Sequence, residues 1–96
     1  MSRVTFLSRM TVKAGREAEY ERLCTQLTTA TRANEPDVIY YEFFKLREPR
    51  RYAVLESFRN EEAEHRHLTT AWFKEAAPGI IECLDGPYVR EYLDLF

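Results

Sequence analysis

The apolar residues of this chain change period along its length, from two to about 3.6 and back, and the order of those changes constrains the fold more than any other feature. Residues 3–13 alternate. Val4, Phe6, Ser8, Met10 and Val12 share one parity, and Thr5, Leu7, Arg9, Thr11 and Lys13 the other, as in a half-buried strand. Ala14-Gly15 ends it. Over residues 16–34, Tyr20, Leu23, Cys24, Leu27, Ala30, Thr31 and Asn34 recur at steps of three and four, which predicts an amphipathic helix. Glu17, Glu19 and Glu21 suit the positive end of its dipole. Pro36 stops it. Residues 38–46 read as a second strand with apolar side chains on both parities, so both of its faces should be covered. Arg47-Glu48-Pro49-Arg50 is a short turn, and Tyr52 to Arg59 returns as the other half of a hairpin.

Asn60, followed by Glu61, Glu62 and Glu64, opens a helix to about Leu68. Thr69-Thr70 breaks it. A further helix over roughly 71–84 carries Phe73, Ala76, Ala77, Ile80, Ile81 and Leu84 as its stripe, and Pro78 predicts a kink or a weak first turn. Asp85-Gly86-Pro87 is a turn, and Tyr88 to Phe96 alternates again as a last strand. The order β-α-β-β-α-β is the ferredoxin-like split arrangement, an α+β fold with one four-stranded antiparallel sheet and its helices on one face. The other face is bare in a monomer. The two-sided apolar content of residues 38–46 argues that a second copy of the chain covers it.

Composition narrows the class of protein. Ninety-six residues allow one domain, 1–96, and the 45% apolar and 31% charged content excludes intrinsic disorder. A formal net charge of −2 supplies no basic field for nucleic acid. No apolar run approaches the ~18 residues of a membrane span. The start, Met1-Ser2-Arg3-Val4-Thr5-Phe6, enters a strand-like pattern without the apolar region of a signal peptide, which points to the cytoplasm. Cys24 and Cys83 lie outside any metal-type or redox spacing and read as buried reduced thiols, with a disulfide or a catalytic thiol as alternatives. With only three glycines, no phosphate loop or dinucleotide fingerprint is present. Thirteen aromatic residues are many for one small core and call for a pocket or a partner.

Several stretches together resemble the antibiotic biosynthesis monooxygenase domain family of small dimeric α+β barrels. They are Met10-Thr-Val-Lys-Ala-Gly-Arg, Asn34-Glu-Pro-Asp-Val-Ile-Tyr-Tyr-Glu, Arg51-Tyr-Ala-Val-Leu-Glu-Ser-Phe, Glu62-Ala-Glu-His-Arg-His-Leu-Thr-Thr-Ala-Trp-Phe and Leu84-Asp-Gly-Pro. The resemblance spans residues 4–95. It implies homodimers whose sheets pack face to face, each subunit holding a pocket between sheet and helices. It also implies a choice of activities. Some members oxygenate quinols or polycyclic aromatics with O₂ and neither metal nor flavin, some degrade haem, and some isomerise a phosphorylated autoinducer-2 signal. The haem-degrading branch carries Asn, Trp and an axial His where this chain has Ser8, His67 and Ala77, so the resemblance does not extend to haem. The isomerase branch resembles the chain in Glu56, His67, Thr69-Thr70 and Gly86-Pro87 but carries a second His where Trp72 stands.

Among the residues, His65 and His67 alone have ordinary pKa values near neutrality. Ala63 and His67 share a helix face, whereas His65 lies about 160° round from Ala63 and should be solvated. His67 is therefore the candidate general base, or else a structural histidine. Glu56 has the parity of Val54 and Phe58, and would orient His67 or pair with an arginine. Asn34 would hydrogen-bond a substrate oxygen or satisfy its own helix end. Ser8 would hydrate or widen a pocket, or bond to backbone. Trp72 and Phe73 would wall a planar ligand or pack in the core. Arg47, Arg50 and Arg51 would attract an anion or form a solvated turn, and parity does not assign Tyr40, Tyr41 and Tyr52 to a face.

The leading expectation is a cofactor-independent monooxygenase acting on a quinol or related phenolic molecule, with His67, Glu56 and Asn34 catalytic and Ser8, Trp72 and Phe73 binding substrate. The rivals are an isomerase of a small phosphorylated signal, with the hairpin arginines near the phosphate, and a non-catalytic dimeric ligand-binding or stress-response protein.

Overall fold

The computed structural model describes residues 3–96, so Met1 and Ser2, where the expected strand pattern begins, lie outside the described residues. β1 spans Val4–Thr11, α1 Glu17–Asn34, β2 Val38–Lys45, β3 Arg51–Phe58, α2 Glu61–Leu68, α3 Ala71–Glu82 and β4 Val89–Tyr92. The four strands form one sheet in the order β2-β3-β1-β4, every neighbour antiparallel. This is the ferredoxin-like arrangement. The segment between β3 and β4 is two helices, parted at Thr69-Thr70.

Local chemistry sets the joints. Gly15 takes φ 85°, in the left-handed region, and its N–H donates to Glu17 Oε1 at 2.9 Å, which ties the turn to the first residue of α1. Asn60 accepts from Ala63 N at 2.9 Å and Thr70 from Phe73 N at 3.2 Å, so α2 and α3 both begin on side-chain caps. α3 continues through Pro78. At Gly79 a Cβ would lie 2.8 Å from Leu23 Cδ1, so the missing side chain lets α3 approach α1 closely.

β2 carries a register shift. Val38 pairs with Phe58, but Tyr40 pairs with Ser57 and Tyr41 with Glu56, leaving Ile39 as an extra residue. The bulge turns Tyr41 toward the helices (2% exposed) and leaves Tyr40 on the open face (41% exposed). Tyr52 also faces the helices, where its hydroxyl donates to Glu21 at 2.5 Å.

The core lies between the helices and one sheet face and holds Phe6, Met10, Tyr20, Leu27, Val54, Phe58, Ala76 and Ile80. The opposite face shows Leu7 against Leu55, Ala53 against Phe44, and Val89 against Arg9. Phe44 and Val89 are exposed there. The last strand is shorter than the alternation over 88–96 suggests. Its ladder ends at Tyr92, Leu93 N adds one bond to the Thr5 carbonyl at 2.9 Å, and the side chains of Leu93, Leu95 and Phe96 stand exposed. No helix among the described residues is long and apolar enough to cross a membrane.

Candidate functional site

His67 sits on the last turn of α2 and is 1% exposed, while His65 faces solvent. Its Nδ1 lies 2.9 Å from Oε2 and 3.1 Å from Oε1 of Glu35, the residue that ends α1. A carboxylate can only accept, so Nδ1 donates to Glu35, and the tautomer that this bond selects leaves Nε2 as an acceptor. Tyr41 donates its hydroxyl to Nε2 at 3.1 Å. The indole N–H of Trp72 donates to the same Glu35 Oε2 at 2.6 Å. Glu35, His67 and Tyr41 thus form one chain of hydrogen bonds, with Trp72 bracing its outer end. Phe73 lies edge-on to the imidazole at 5.0 Å between ring centroids, and Phe58 is tilted against it at 5.5 Å.

Tyr41 and His67 face a cavity of about 250 Å³ between sheet and helices. Phe6, Met10, Leu27, Val54, Phe73 and Ile80 supply its apolar wall. Leu68, Ile81 and Tyr88, all exposed, form its mouth. Its remaining polar groups are Ser8, Glu56, Glu64 and Arg90. Arg90 reaches Glu64 at 3.6 Å and lies 3.9 Å above the Phe6 ring, a cation–π contact. Ser8 is 2% exposed, and its hydroxyl has no hydrogen-bond partner among the described residues.

Glu56 points into the same cavity from β3. Burial pushes its carboxyl up to about 8, Arg90 opposes that shift, and the charges of Glu64 and Glu35 add to it. Burial also holds the Tyr41 phenol well above its ordinary value. Of the residues expected from the sequence, the structure brings His67, Glu56, Ser8 and Phe73 to one cavity. It does not bring Asn34 or Trp72 there. The Asn34 amide donates to the Ala30 carbonyl at 2.8 Å on an exposed helix end, and Trp72 meets His67's partner from the far side. The expected orienting group is corrected as well. Glu35 holds His67, whereas Glu56 sits one strand across from Tyr41 with no bond to the imidazole.

Sequence reasoning missed Glu35 and Tyr41. The bulge hid the facing of Tyr41, and Glu35 falls between the predicted helix over 16–34 and Pro36, where no periodicity gives it a face. Cys24 and Cys83 are free and buried, and burial pushes the Cys24 thiol up to about 12, far from a nucleophile's range. Among the described residues no cluster of three His, Cys, Asp or Glu side chains could hold a metal ion.

A ferredoxin-like sheet with a largely apolar cavity between its helical face and the helices defines a small α+β fold with room for a ligand. Within it, the antibiotic biosynthesis monooxygenase family model matches residues 3–79, and the chain belongs to that family. A crystal structure from Caulobacter crescentus, of a protein named for the antibiotic biosynthesis monooxygenases, superposes with a TM-score of 0.91 at 28% identity, over 98% of this chain and 90% of that one. A conserved protein of Methanosarcina mazei gives 0.86 at 26% identity over 98% and 93%. Rv0793 of Mycobacterium tuberculosis shares the fold at 18% identity, with a TM-score of 0.88 over 99% and 96%. No curated protein matches the chain significantly. Family and neighbours together support a general monooxygenase-like role.

Proposed function

We propose that the protein oxygenates a quinol or related electron-rich phenol with O₂, without a bound metal or flavin, in the cavity beside His67. The carrying observation is the Glu35–His67–Tyr41 chain of hydrogen bonds, which ends at the cavity wall. The carboxylate fixes the imidazole with Nε2 as its proton-accepting end. A substrate hydroxyl against Tyr41 gives its proton to the tyrosine oxygen as Tyr41 passes its own to His67. The phenol of Tyr41 stays neutral throughout, in keeping with its burial.

The phenolate so formed transfers one electron to O₂, and the radical pair recombines as a peroxide on a ring carbon. Loss of water leaves a new carbonyl. One oxygen atom enters the product and the other leaves in water, and the substrate supplies all the electrons. The apolar wall keeps water from the anion. General-base assistance of this kind is worth about 10²–10⁴-fold.

The charges lining the cavity favour this reading over isomerisation of a phosphorylated signal. Arg90 is the cavity's one arginine and already meets Glu64. The hairpin arginines lie elsewhere. Arg50 donates to the Val12 carbonyl at 2.9 Å, and Arg51 pairs with Glu48 at 3.7 Å. The reading includes a second copy of the chain on the open sheet face. Oxygen uptake with a panel of quinols tests it. Wild type consumes oxygen, and His67→Ala is slower by about 10²–10⁴-fold. Equal rates would remove His67 as the base, and no uptake with any quinol would remove the activity.

A further inference from the structure

Two polar groups in the cavity have neither a task in the proton relay nor a side-chain partner among the described residues. Buried hydroxyls nearly always find a partner. The Ser8 hydroxyl is 2% exposed, has none among the described residues, and lines the cavity. Glu56 is its neighbour on the same sheet face, because Ser8 pairs with Val54, two residues before Glu56 on β3. No hydrogen bond or ion pair joins the Glu56 carboxyl to another described side chain. The cation that faces it, Arg90, already meets Glu64. An anion placed here would confront Glu64, and the one cation facing the cavity among the described residues, Arg90, is already paired with it.

We propose that Ser8 and Glu56 form the recognition pair of the cavity, taking an uncharged oxygen of the ligand, as in a carbonyl or amide, and rejecting a carboxylate or phosphate in its place. This rests on the reading of the cavity as the ligand site and specifies its substrate class, a neutral phenol bearing a second, uncharged oxygen function. The chemistry is direct. Glu56, pushed up to about 8 by burial, is a carboxylic acid at neutral pH and has an O–H to donate. Ser8 supplies a second donor beside it. When Glu56 ionises it can only accept, and it repels the lone pairs it formerly bonded.

The titratable and charged groups facing Glu56 are Tyr41 from β2, His67 and Glu64 from α2, Tyr88 just before β4, Arg90 and Tyr92 from β4, and Glu35 from the end of α1. Glu56→Gln leaves all of them in place, so its difference from wild type isolates this one carboxyl.

Two probes of matched shape, para-hydroxyphenylacetamide and para-hydroxyphenylacetate, test the pair by calorimetric titration of the full chain without oxygen. Wild type binds the amide at least about tenfold more tightly than the acid. Ser8→Ala and Glu56→Ala each lose about tenfold for the amide, whereas Glu56→Gln, which keeps a donor, stays within about threefold. Between about pH 7 and about pH 9.5, below the ordinary phenol range, amide affinity falls about tenfold in wild type and holds in Glu56→Gln. Thermal melts confirm that each variant is folded. Equal affinity for the two probes, the same pH fall in Glu56→Gln, or no binding of either probe by folded wild type would overturn the proposal. Neither probe is a quinol and oxygen is absent, so failure of the oxygenase reading leaves these outcomes distinct.

Discussion

At the scale of single residues the site is governed by who satisfies whom. Glu35 accepts from both His67 and Trp72. Glu35→Ala would strand two donors, and each stranded buried group costs about 1–3 kcal/mol. We expect a loss of about 2–4 kcal/mol by denaturant unfolding, with oxygenase turnover reduced together with it. Trp72→Phe strands no donor on Glu35's other partner, so it should cost less than Glu35→Ala in the same assay. Glu56 acts in the opposite sense. Its folded-state carboxyl titrates at about 8, above the unfolded value near 4.5, so the folded protein holds this proton more tightly. Its contribution is favourable below about pH 4.5 and is lost as pH rises through about 8. Glu56→Gln should therefore be more stable than wild type at pH 8 by about 1 kcal/mol or more, some 4–8 °C in Tm, and the gap should close by about pH 4.5. A gap independent of pH would contradict this assignment. His67 and Glu56 were legible in the sequence because helix and strand periodicities place them inward. Glu35 was not, since no periodicity links a helix end to an imidazole 32 residues later.

At the scale of elements, β2 decides the most. Its bulge at Ile39 shifts the alternation, so that Tyr41 reaches His67 and Tyr40 stays on the open face. Simple parity over Val38 to Leu46 could not assign the tyrosines for this reason: a bulge reverses facing partway along the strand and leaves the composition unchanged. α2 was easier to read because its cap, Asn60, is local, whereas Thr69-Thr70 read only as a break between helices. Asn60 and Thr70 each hold the first turn of the helix they precede. Thr70 also donates to the His67 carbonyl at 2.9 Å, which ties the start of α3 to the residue that ends the relay. Thr70→Ala should cost about 1 kcal/mol of stability, about 4–8 °C in Tm. The alternation of residues 88–96 overran the real strand: the ladder to β1 runs from Arg9–Val89 to Phe6–Tyr92, and one further bond, from Leu93 N to the Thr5 carbonyl at 2.9 Å, closes it.

At the scale of the whole molecule, the aromatic surplus divides into three uses. Phe6, Tyr20, Tyr41, Tyr52 and Phe58 are buried in the core. Phe73 walls the cavity and Tyr88 stands at its mouth. Tyr40 and Phe44 lie exposed on the open sheet face with Leu7 and Leu55 between them and β4. That face predicts a dimer in solution by sedimentation at micromolar concentration, and Leu55→Asp should shift it toward monomer by placing a charge at the centre of the contact. The central claim is that the cavity carries out oxygenation, and supplying heavy-isotope O₂ with a quinol in ordinary water tests it most directly. The account predicts one labelled oxygen atom in each product molecule and a loss of that labelled product of about 10²–10⁴-fold in His67→Ala. Product that carries only water's oxygen, or that forms equally well without O₂, would contradict it.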